Sequence, residues 1–142
     1  MNRNRRIRLS GTDAQKMIDY ARQELPNEAC GLLGGTEENG IREIRKVYLL
    51  QNTDASSEHF SLDPKEQLAA VRDMREKGLK PLGNWHSHPE TPSRPSDEDI
   101  RLAYDPNASY LILSLESGAV PNLNSFRILD GEAKWEILEI YD

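Results

Sequence analysis

Hydrophobic positions along this chain recur with two different periods. Over residues 12–25, Ala14, Met17, Ile18, Ala21 and Leu25 return every three or four residues, the stripe of an amphipathic helix. Thr12 and Gln15 offer a capping-box pair at its start, and Pro26 ends it. A second helix is predicted from Asp63 to about Lys77. Asp63 caps it, Pro64 takes the first helical position, Glu66 completes the box and Gly78 closes it, with Leu68, Val71 and Met74 as the buried stripe. A third helix begins at Ser96, ahead of Ile100, Leu102 and Ala103.

The remaining apolar stretches are short and read as strands. Residues 30–33 form a brief run before Gly34-Gly35, where the backbone relaxes. Asn39-Gly40 is a hairpin turn into 41–50, and 81–86 is a strand entering a proline-rich turn. The unbroken run 110–113 fits a strand covered on both faces. Residues 125–129 and 132–141 flank Asp130-Gly131 as a last hairpin, its second arm carrying Trp135, Ile137 and Leu138. The expected architecture is α+β: a mixed or mainly antiparallel sheet of about six strands with three flanking helices.

At 142 residues the chain is expected to form a single domain spanning 1–142. Its net charge of −6, from 18 basic and 24 acidic residues, argues against a phosphate-binding body. The exception is the basic N-terminal arm over 1–8, where Arg3, Arg5, Arg6 and Arg8 crowd together with no acid; it reads as a solvated tail. No stretch approaches the ~20 apolar residues of a membrane span. One cysteine excludes an internal disulfide, so a cytoplasmic location is expected.

Chemistry concentrates between Trp85 and Asp99. His86 and His88 stand two residues apart on a strand, so their side chains share a face with Cα atoms about 6.6 Å apart. Asp99, on the first turn of the third helix, offers a carboxylate from outside that strand. Two histidines and an aspartate are the ligand set of a catalytic zinc, which leaves its fourth position for water. A structural zinc would draw on cysteines, and only Cys30 is present. Each residue also has a plainer reading. Ser96-x-x-Asp99 is a helix capping box, Glu28 a surface carboxylate after a proline turn, and His59 a loop histidine without a partner at ligand spacing. Cys30, beside glycine and leucine, is a small hydrophobe with an inert thiol.

His86-x-His88, seven residues, then Ser96-x-x-Asp99 resembles the metalloprotease motif of the JAMM (MPN-plus) family. Upstream, Glu28-Ala29-Cys30-Gly31-Leu32-Leu33-Gly34-Gly35 is similar to that family's glutamate-bearing first strand. Phe60-x-x-Asp63-Pro64 resembles its small bacterial, Mec-like members. The resemblance implies the cytidine-deaminase-like MPN fold and one Zn2+ held by His86, His88 and Asp99. It also implies Glu28 as the base that handles the water proton, and Ser96 as the hydrogen-bond donor to the tetrahedral oxyanion. The implied reaction is isopeptide or peptide hydrolysis after the C-terminal Gly-Gly of a ubiquitin-like or sulfur-carrier protein. Because a Gly-Gly tail has no side chains, its recognition is expected to come from strand addition along an exposed sheet edge. Two further readings stay open: a non-catalytic MPN interaction scaffold, and a RadC-like DNA-associated protein, which shares a similar histidine, serine and aspartate spacing.

Overall fold

The computed structural model describes residues 5–116 and 120–142. Along the chain lie β1 (Arg6–Ser10), α1 (Gly11–Glu24), β2 (Cys30–Glu38), β3 (Ile41–Leu50), α2 (Pro64–Glu76), β4 (Lys80–His88), α3 (Asp97–Arg101), β5 (Ser109–Ser114), β6 (Asn122–Leu129) and β7 (Glu132–Tyr141). The seven strands close into a barrel in the order β1-β3-β2-β4-β5-β6-β7, with β1 parallel to both β3 and β7 and β4 parallel to β5. The expected α+β class with three helices holds, but the sheet has seven strands where about six were expected.

The additional strand is β1, and it corrects the expected basic arm over 1–8. Residues 1–4, including Arg3, lie outside the described residues, whereas Arg6 and Arg8 belong to β1. The segment alternates. Ile7 and Leu9 are fully buried, while Arg8 turns outward to Glu139 Oε1 at 2.6 Å and also pairs with Glu43. Closure bears on the expectation of strand addition by limiting the free strand flank. Every strand has a partner strand on both flanks, but β1 pairs with β3 only over Ile41–Glu43, so the rest of β3 is joined to β2 alone.

Other differences are local. The cap of α1 is Ser10, whose side chain accepts the Asp13 N–H, so the helix starts ahead of the Thr12-Gln15 pair. Asp63 does cap α2, but Glu66 reaches back to accept the Gln51 N–H rather than closing the cap. The stripe of α2 is turned from the expected one: Ala70 and Met74 are buried, while Leu68 is 51% exposed. β2 continues through Gly34-Gly35 by means of a bulge. The final hairpin is two strands, as expected.

The main core gathers Ile7, Leu9, Met17, Ala21, Leu33, Ile44, Trp85, Leu111 and Leu113 from both helical and strand segments. Trp85 anchors it, fully buried, with its Nε1–H donating to Tyr48 O at 3.1 Å and its ring edge-on to Tyr20. Gly31 makes that possible. A Cβ there would stand 1.7 Å from Tyr48 O and 2.4 Å from Trp85 Nε1, so no larger residue fits without parting β2 from β3. Because strand side chains alternate, burying Trp85 on the core face puts His86 and Asn84 on the other. Among the described residues no helix is long and apolar enough to cross a membrane.

Candidate metal centre

His86 and His88 occupy the last turn of pleat in β4, which is paired to β2 on one side and β5 on the other. Past His88 the chain makes the proline-rich turn, and its shape is fixed by buried hydroxyls. Ser93 Oγ donates to Ile112 O at 2.6 Å, and Ser114 Oγ donates to Thr91 O at 2.6 Å. The turn then presents Pro92 O to His88 Nδ1 at 2.8 Å. A carbonyl can only accept, so Nδ1 carries the proton and Nε2 turns a bare lone pair toward the site.

α3 starts at Ser96 with a complete capping box. Ser96 Oγ accepts the Asp99 N–H at 3.0 Å, and Asp99 Oδ2 accepts the Ser96 N–H at 2.9 Å. The expected cap is therefore real, and it aims a carboxylate oxygen at the two histidines. His86 Nε2, His88 Nε2 and Asp99 Oδ2 form a triangle with all three sides 3.1 Å. Hydrogen bonding alone does not account for it, because each imidazole N–H can point at only one partner with a near-straight angle. Around a tetrahedral ion with ligand bonds of about 2.0–2.1 Å, neighbouring donor atoms lie roughly 3.3–3.4 Å apart. The triangle has close to that edge, and the donor set suits a divalent cation.

Charge follows geometry. Burial opposes ionisation of Asp99, but hydrogen bonds from His86, His88 and the Ser96 N–H outweigh it and hold the carboxyl far below the usual range. Burial likewise disfavours a charged His88, yet Asp99 and Pro92 O raise its pKa above the ordinary value. The site thus carries a fixed negative charge facing two imidazole nitrogens.

Glu28 reaches the same place from the segment before β2. Ser87 grips Ala29 twice: Ala29 N–H donates to Ser87 Oγ at 2.8 Å, and Ser87 N–H donates to Ala29 O at 2.9 Å. Glu28 N–H donates to Ser56 O at 2.8 Å, and Asn52 Nδ2 donates to Glu28 O at 3.0 Å. The residue is only 4% exposed and its Oε1 has no hydrogen-bond partner. Burial, opposed by His88 and reinforced by Asp99, pushes its carboxyl up to about 8. The plain reading of a surface carboxylate does not survive this placement.

All five expected residues thus converge: His86, His88 and Asp99 form the triangle, Ser96 heads the helix beside it, and Glu28 is buried within electrostatic reach. His59 does not join the triangle. It is exposed, with Nδ1 2.8 Å from Glu98 Oε1 at the rim. Cys30 is buried, and burial pushes its thiol up to about 12, the environment of a small hydrophobe. Two contributors were not foreseen as such. Phe60 stacks on His86 with ring centroids 4.7 Å apart. Asn52 organises the 51–62 loop, holding Glu28 O and His59 O with its amide nitrogen and the Asp54 and Ser61 N–H groups with its oxygen. Phe60 was visible only as part of a resemblance, and a single loop asparagine carries no signal of such a role.

The sequence model for prokaryotic homologs of the JAB domain matches residues 13–129. A CysO-cysteine peptidase from Mycobacterium tuberculosis is 33% identical over 126 residues, covering 89% of this chain and 85% of that protein. A desampylase from Haloferax volcanii is 29% identical over 114 residues, covering 77% and 81%. The solution structure of a Desulfitobacterium hafniense protein, 51% identical, matches with a TM-score of 0.89 over 96% of this chain and 93% of that one. A JAB1/MPN domain protein from Archaeoglobus fulgidus, 21% identical, matches with a TM-score of 0.60 over 96% and 99%, a likeness of fold.

Proposed function

The chain belongs to the JAMM-type family of prokaryotic homologs of the JAB domain, with the JAB1/MPN fold, and on that premise we propose that it is a zinc-dependent peptidase. Its reaction is hydrolysis of the amide bond after the C-terminal Gly-Gly of a ubiquitin-like or sulfur-carrier protein, releasing cysteine or a short extension. The similarity to a CysO-cysteine peptidase and to a desampylase supports that substrate class. The observation that carries the proposal is the 3.1 Å triangle of His86, His88 and Asp99 beside a buried carboxylate with an unpartnered oxygen. A scaffold would gain nothing from burying Glu28 without a partner, which costs free energy.

In this reading His86, His88 and Asp99 hold the metal. When bound, zinc polarises the scissile carbonyl and brings the pKa of a water from 15.7 to about 7. With a cation's charge beside it favouring the ionised form, Glu28 would take the water's proton at Oε1, which has no other partner, and return it to the leaving amine. Ser96 keeps its hydroxyl hydrogen available, because Oγ serves as an acceptor in the cap, and donates it to the oxyanion. His88 is kept in one tautomer by Pro92 O, and Phe60 shields one face of His86 from water. Asp99 stays ionised because the ring nitrogens and the Ser96 N–H surround it.

The test is to incubate zinc-loaded protein with carrier proteins of its own cell bearing a C-terminal cysteine or peptide extension and to follow mass. The expected result is loss of the extension after Gly-Gly, absent with Glu28→Gln. Equal turnover of denatured generic protein, or identical behaviour of Glu28→Gln, would overturn the reading.

A further inference from the structure

Three cavities adjoin along the outer side of β4. One of about 400 Å³ lies over His86 and Asp99. A second, about 340 Å³, shares Gln67 and Asn84 with it. A third, about 570 Å³, shares Arg42, Lys80 and Asn107 with the second. Together they run from the metal centre to the far end of the strand. Asn84 stands two residues before His86 on the same face, and its Oδ1 is buried without a donor.

The far cavity is cationic in a chain whose net charge is −6. Arg5, Arg42, Lys80 and Arg127 line it, with Glu37 the one acid on its wall. Glu37 faces Arg42 at 3.3 Å and Lys80 at 2.9 Å, and Glu136 takes Arg127 at 3.1 Å, so four cations meet two carboxylates. The guanidiniums are built in. Arg42, 6% exposed, donates to Leu82 O, Ser109 Oγ and Asn107 O, and Arg127 also donates to Asn107 O. Burial, then the charge of Arg42, lowers the pKa of Arg127, as expected where cations crowd. Tying down the barrel end explains Arg42 and Arg127, and Lys80 shares Glu37 with Arg42, but the four cations still exceed their two carboxylates by two charges.

We propose that this cavity docks acidic side chains of the substrate protein, and that the groove between carries its extended tail. The inference rests on the proposed peptidase function. From Lys80 to His86 is six residues of strand, about 20 Å. A released cysteine or short extension cannot span that distance, whereas an extended carrier tail of six or seven residues can. The preferred carrier therefore has carboxylates six to eight residues before the scissile bond.

The test needs no turnover. Two fluorescein-labelled ten-residue peptides ending in Gly-Gly carry either glutamate or glutamine at the seventh and eighth positions from the C-terminus. Their binding to the full chain is read by fluorescence anisotropy at low salt and in 0.5 M salt. The glutamate peptide should bind about tenfold more tightly at low salt, with the gap closing in high salt. The double variant Arg5→Glu, Lys80→Glu, or Arg5→Gln, Lys80→Gln where the first fails to fold, should abolish the preference. With a cleavable carrier it should raise KM while kcat stays within twofold. Equal binding of both peptides, binding of neither, or a preference that survives the double variant overturns the proposal. Failure of the peptidase reading would show separately, as no carrier cleaved by zinc-loaded protein.

Discussion

One atom, Asp99 Oδ2, accepts the Ser96 N–H at 2.9 Å and stands 3.1 Å from the Nε2 atoms of His86 and His88. The capping carboxylate and the proposed metal ligand are one and the same, so the two sequence readings of Ser96-x-x-Asp99 are compatible. Ser96→Ala should therefore cost only about 1 kcal/mol in denaturant unfolding, while reducing turnover by roughly 10²–10³. Equal small losses in both would leave the serine as a cap alone. At Glu28 the effects separate differently. Glu28→Gln should retain zinc by metal analysis and lose nearly all hydrolysis. Metal-free protein adds a test of sign. The folded state holds the Glu28 proton up to about pH 8, against an ordinary value of 4.5. Its stability relative to the unfolded chain therefore falls as pH rises through that window. Thermal melts should show Glu28→Gln no more stable than wild type near pH 4 and more stable at pH 9.

At the scale of elements, β1 shows how a pattern can be legible and still be overlooked. Arg6-Ile7-Arg8-Leu9 alternates like a half-buried strand, but its arginine density and terminal position read as a solvated arm. What converts it to structure is a set of partners far along the chain: Ile7 pairs with Leu138 and with Arg42, and Arg8 meets Glu139 and Glu43. Ile7→Ala should cost about 2–5 kcal/mol by chemical denaturation, the range for a fully buried aliphatic side chain. A loss below 0.5 kcal/mol would mean that closure by β1 adds little. The rotated stripe of α2 has a similar cause. Leu68 fits the helical period as well as Ala70 does, and the choice between faces was made by Tyr48 and Leu50 on β3, against which Ala70 and Met74 pack.

For the molecule as a whole, the proposed ligands His86, His88 and Asp99 sit on elements already fixed by the Trp85 core, the Ala29–Ser87 hydrogen bonds and the α3 cap. Removing metal should therefore abolish hydrolysis and lower Tm without loss of far-UV circular dichroism, because a bound ion adds stability by mass action to a fold that stands without it. Unfolding on chelation would make the metal structural. His86→Ala should reproduce the chelated state, with zinc lost and secondary structure kept.

The sequence by itself determined the α+β class, three helices, six of the seven strands and the pair His86 and His88, because local periodicity and a two-residue strand spacing are properties of short segments. It also determined the Ser96-Asp99 cap, whose hydrogen bonds span three residues. Only the tertiary structure decided what depends on contacts between distant segments. Glu28 is buried because Ala29 pairs with Ser87, 58 residues away. The sheet closes because β1 finds β3 and β7, and closure leaves free only short flanks such as that of β3 beyond Glu43. The cationic cavity at the far end of β4 exists because Arg5, Arg42, Lys80 and Arg127 arrive from four separate stretches of chain. No window of sequence contains them together, and their meeting is fixed by the packing of the barrel.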